Sequence, residues 1–188
     1  MTSPSRLPLD PATHLPSIQN AGDVQQFLRG AAQDEDSRLL SESMEQVATR
    51  IEAIVAALQG SRRRDMIAPQ LVDLLTVLRS HRLQVLGLGL PWRGLYEYPG
   101  YLHALNNFRL LIGQWLLGSG PRSQDLTLTA EDFGQLAWRT LGEGILLVDM
   151  YDQWMATEAK QGAGPPDLSK PSQPQVERAL QWWKKLGL

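Results

Sequence analysis

Leu40, Met44, Val47, Ile51, Ile54 and Leu58 recur at alternating spacings of four and three residues, which keeps all six on one narrow face of a single continuous helix. Such a helix has little stability until that face is covered. The chain must therefore lay further helices against the stripe, and the same spacing returns downstream. It is seen in Leu71, Leu75 and Leu78, then Arg82 and Val85; in Tyr101, Leu105, Phe108, Ile112 and Trp115; and in Phe133, Ala137, Leu141, Gly144, Val148, Tyr151 and Met155. Strand-like alternation is essentially missing and no internal repeat is visible. The expectation is an all-α fold, a single helical bundle of five to six helices with a Pro-rich N-terminal arm and a short docked C-terminal helix.

Punctuation along the chain sets the boundaries. Pro4, Pro8, Pro11 and Pro16 disfavour regular structure and predict a flexible arm over residues 1–20. The bundle domain is predicted over 21–161. Its first helix starts near Asp23 and runs to about Gln33; its second starts at the acidic run Asp34-Glu35-Asp36, where negative charge meets the positive end of the helix dipole, and stops at Gly60. Pro69 suits the first turn of a third helix ending near Leu86. Its seam places Arg82 where an apolar side chain is expected, which a stem laid along the core with its head in water would accommodate. A fourth helix runs from about Pro99 to Leu117. Leu110, Leu111, Leu116 and Leu117 widen its apolar surface almost to the full circumference, which predicts a central helix or a subunit contact. Thr129, three residues before Asp132, resembles a cap for a fifth helix reaching about Lys160, in which Gly142 and Gly144 mark a bend or a close crossing. Residues 162–174, with Pro165, Pro166, Pro171 and Pro174, read as a linker to a C-terminal helix at 175–188 that aligns Val176, Leu180 and Trp183.

The 188 residues suffice for one well-cored domain. They contain no cysteine, which excludes disulfides, thiolate metal sites and cysteine nucleophiles and fits a reducing compartment, so the expected location is cytoplasmic. Neither a signal-like leader nor a membrane span is predicted, because the most apolar stretch, 102–117, is interrupted by Asn106, Asn107, Arg109 and Gln114. The net charge of -2 hides an uneven distribution: residues 1–60 sum to -4, residues 61–122 to +5 and residues 123–188 to -3. Acidic outer helices packed beside a basic middle would neutralise it internally; a basic face for an acidic partner or nucleic acid is the sharper alternative.

Catalytic signatures are absent. Gly87 and Gly89 follow a helix and lack the third glycine of a dinucleotide loop, and Leu95 stands where a phosphate loop needs lysine. His14, His81 and His103 form no zinc-like pair, and no serine sits at a nucleophile elbow. Asp149 and Asp152 share one helical surface, but the additional Glu and Glu-x-x-His units of a di-metal bundle are missing. No metal and no cofactor are expected.

Two groups of residues remain as candidate sites. Trp92, Arg93, Tyr96 and Tyr98 lie in a Gly- and Pro-rich connection and combine aromatic faces with a cation, the composition of binding hot spots; the same aromatics would equally serve to plug the end of a bundle. Arg62, Arg63, Arg64, Arg79 and Arg82 are candidate phosphate contacts. The expected function is a non-catalytic helical assembly or adaptor protein acting through protein-protein contacts, by self-association or within a larger complex. The alternative is a helical nucleic-acid-associated subunit using Arg62–Arg64, Arg79, Arg82 and Arg93.

Overall fold

The computed structural model describes residues 9–31, 34–118 and 126–157. They form five α-helices: α1 (Ala21–Leu28), α2 (Glu35–Gly60), α3 (Arg64–Gly87), α4 (Glu97–Gly118) and α5 (Ala130–Thr157), with one short 3-10 turn at Trp92–Gly94. No strand occurs among the described residues. The predicted linker at 162–174 and C-terminal helix at 175–188 lie outside them, as does the predicted end of the fifth helix near Lys160.

The caps are chemical and local. Asn20 Oδ1 accepts from Asp23 N at 2.9 Å to start α1, Asp34 Oδ1 accepts from Ser37 N at 2.8 Å to start α2, and Thr129 Oγ1 accepts from Asp132 N at 3.1 Å to start α5. Two helices depart from expectation at their ends. α1 stops at Leu28, short of Gln33, with Gly30 following. α3 starts at Arg64, ahead of Pro69, which it contains as an interior residue. Proline is tolerated there because its fixed φ is helical and the one acceptor it deprives belongs to Asp65, which is exposed.

The helices α2, α3, α4 and α5 run alternately up and down, each packed on the next, with α5 closing the ring against α2 and α1 lying across α2 and α5. All six residues of the α2 stripe are buried. On α3 the buried side is Ile67, Leu71, Leu74, Leu78, His81 and Val85, so the polar residue in the seam is His81, while Arg82 sits half-buried beside it. The most buried helix is α5, with Phe133, Ala137, Leu141, Ile145, Leu147 and Val148 all inside. α4 instead keeps Leu110 and Leu117 in solvent, so its wide apolar surface does not make it the middle of the bundle. The described part of the N-terminal arm is fastened down: Asp10 N donates to Leu15 O at 2.8 Å, and Leu15 and Ile18 are buried.

Candidate functional site

The connection between α3 and α4 folds onto itself. Arg93 N donates to Gly89 O at 3.2 Å, Gly94 N to Pro91 O at 2.9 Å and Leu95 N to Trp92 O at 3.1 Å. This turn sorts its side chains into two sets. Trp92 is only 1% exposed and lies flat on Tyr151 of α5, ring centres 3.8 Å apart and planes within 7°. Tyr98 is buried and its hydroxyl donates to Val85 O at 2.9 Å. Leu88 and Leu95 are buried with them. Outward point Leu90, 67% exposed, Arg93, and Tyr96, 38% exposed. Of the four residues singled out in this segment, Trp92 and Tyr98 are therefore anchors within the bundle, and Arg93 and Tyr96 are surface groups.

The anchor is extended by α5. The Tyr151 hydroxyl donates to Asp34 Oδ2, the cap of α2, and burial together with this carboxylate raises the Tyr151 pKa well above that of a free phenol. Trp154 stacks beyond it with ring centres 6.3 Å apart.

The arginines are dispersed. Arg62 is exposed, and its carbonyl accepts from Leu126 N at 2.8 Å. Arg63 turns onto Asp65, with Nε donating to Oδ1 at 3.1 Å, a bond that lowers the pKa of that carboxyl. Arg64 reaches across to the carbonyl of Leu116 at the end of α4. Arg79 is exposed and Arg82 half-buried, about 22 Å farther along the α3 axis at the usual rise per residue. The two groups do not meet in one phosphate-sized cluster.

A third constellation joins four helices and was not visible as a motif. His81 of α3 is buried; its Nδ1 lies 2.6 Å from Ser43 Oγ of α2, and its Nε2 lies 2.6 Å from the Tyr101 hydroxyl of α4. Ser43 Oγ also lies 3.0 Å from Leu40 O. The tautomer of His81 sets the direction of this chain: with the proton on Nδ1, Ser43 accepts and Nε2 accepts from the Tyr101 hydroxyl, and with the proton on Nε2 both directions reverse. Burial lowers the His81 pKa to about 4 and raises that of Tyr101, so both are neutral near pH 7. Gly144 of α5 completes the crossing, since a Cβ there would stand 2.5 Å from Tyr101 Cζ and 2.8 Å from Met44 Cε. The arrangement is a polar lock. Spacing alone does not single it out, since positions 81 and 82 both continue the seam from Leu78 and only the structure shows His81 as the buried one.

Two recesses adjoin these elements. One of about 160 Å³ lies over Ser43 and His81, rimmed by Gln46, Ser80 and Gln84. A wider groove of about 930 Å³ runs between residues 10–19 and the facing parts of α2 and α5, with Val55 and Trp138 in its wall. Asp149 and Asp152 are half-buried on α5, and no group of three or more His, Cys, Asp or Glu is placed to hold a metal among the described residues. Within the same residues no helix is long and apolar enough to cross a membrane.

Comparison with protein-family models, with curated proteins and with solved structures finds no match for this chain.

Proposed function

We propose that this chain is a non-catalytic helical assembly or adaptor protein that acts through protein-protein contacts within an oligomer or larger complex. The observation that carries the reading is the sorting of side chains in the α3–α4 connection, where buried Trp92 and Tyr98 hold a turn whose outer side offers Leu90, Arg93 and Tyr96. A surface held in one conformation loses little entropy on binding, and arginine and tyrosine are among the residues that carry interface energy.

The test is a triple variant, Leu90→Ser with Arg93→Ala and Tyr96→Ala. Retention of native partners on the immobilised chain should fall by about tenfold or more, as for loss of a hot spot, with the melting temperature unchanged. Equal retention by variant and wild type would sink this surface. If the wild type instead binds oligonucleotides with a steep salt dependence that the variant loses, the nucleic-acid reading takes its place.

A further inference from the structure

The groove of about 930 Å³ beside residues 10–19 combines apolar walls with an acidic edge. Leu15 and Ile18 line it from the N-terminal segment, Val55 from α2, and Leu136 and Trp138 from α5; all five are buried or half-buried. Asp10, Glu131 and Asp132 join them against one cation, Arg139. None of these three carboxylates has an ion-pair partner among the described residues. Such a groove fits a helix that presents an apolar stripe with positive charge beside it. Residues 175–188, outside the described part of the chain, carry that pattern: Val176, Leu180 and Trp183 recur at spacings of four and three, Lys184 follows Leu180 by one helical turn, and Arg178, Lys184 and Lys185 outnumber Glu177.

We propose that this groove is the docking site of the chain's own C-terminal segment, residues 175–188 lying in it as a helix with Val176, Leu180 and Trp183 toward the apolar walls and Lys184 toward the carboxylates. The intervening chain is long enough. Along α5 the groove extends from Arg139 back to Ala130, which puts its far end about 40 Å from Thr157 at the usual rise per residue. Residues 158–174 include Pro165, Pro166, Pro171 and Pro174, and at the roughly 3.1 Å per residue of proline-rich extended backbone they reach about 53 Å. A tethered segment meets its site at an effective concentration on the order of millimolar, so a modest apolar contact with opposite charge beside it suffices to hold it. The site lies apart from the α3–α4 connection and does not depend on what that connection binds.

The chain has no cysteine, so paired spin labels on introduced cysteines test this in the full chain by electron-electron distance measurement. Gln135, exposed in the groove lining, is labelled through Gln135→Cys and the tail through Ala179→Cys. One narrow, short distance is expected for this pair, and a longer one when the tail label is paired instead with Leu110→Cys on the exposed side of α4. Adding Lys184→Glu with Lys185→Glu, or Glu131→Lys alone, should deplete the short population with the helicity of the bundle unchanged, and combining the two charge reversals should restore it. A broad distribution at Gln135 that ignores these reversals overturns the proposal, as does a tail closer to Leu110 than to Gln135. A short distance that vanishes on dilution with unlabelled chain puts the tail of a second copy in the groove and overturns docking within one chain.

Discussion

Gly144 and Gly113 occupy equivalent places, each well inside a long helix, yet their surroundings are opposite. At Gly144 the chain uses the missing side chain itself: Tyr101 and Met44 fill the space, and the hydroxyl of Tyr101 is tied through His81 to Ser43. At Gly113 the space is open and the neighbouring leucine faces water. One glycine is required by the packing and the other is not. The pair separates what the bundle needs in order to fold from what it leaves open, and substitutions on the two sides should differ in sign as well as size.

The largest effect belongs to the closed side. Trp92→Ala removes the ring stacked on Tyr151 and should lower stability by about 3–5 kcal/mol, read from denaturant unfolding; a loss below about 1 kcal/mol, the range of changes that miss the core, would mean the connection is not anchored as described. Next comes the response to acid. Because the folded His81 titrates at about 4 against an ordinary 6.5, the unfolded chain takes up this proton first as pH falls. The contribution is intact above pH 6.5 and is lost progressively down to pH 4, by roughly 3 kcal/mol in all. Replacing His81 by Phe should flatten the stability-pH curve in that window, and an unchanged slope would show that the lock opens freely to solvent.

Gly144→Ala should destabilise by about 1–3 kcal/mol through overpacking against Tyr101, despite the better helix propensity of alanine. Smallest, and opposite in sign, Gly113→Ala should stabilise the isolated monomer by about 0.5–1 kcal/mol. If thermal melts at high dilution give both glycine variants the same sign, the contrast between the two sites is broken.

Much of this architecture is legible from spacing because a buried stripe must repeat with the helix. The α2 stripe, the caps at Asp34 and Thr129 and the close crossing at Gly144 are all written locally. What escapes is information held between elements. Stepping from Leu78 to Arg82 is as regular as stepping to His81, and only the positions of α2 and α4, with Ser43 and Tyr101 aimed at one point, decide between them. Trp92 and Tyr96 are likewise indistinguishable as aromatics in a glycine-rich segment until Tyr151 arrives to select one of them as its stacking partner. The apolar breadth of α4 reads as centrality because composition does not distinguish leucines that are packed from leucines, such as Leu110 and Leu117, that are exposed.

Tyr151 also bears on the order of events in folding. Its hydroxyl contacts Asp34, 117 positions earlier, and its ring covers Trp92; contacts of such separation wait on long loop closures. During synthesis α2 and the α3–α4 connection leave the ribosome well before residue 151 follows, so the stripe of α2 and the Trp92 indole lack their cover for that interval. A chain of this design is most exposed to aggregation just before α5 emerges, and nascent chains arrested ahead of residue 130 should be the ones that bind chaperones or are cut by protease.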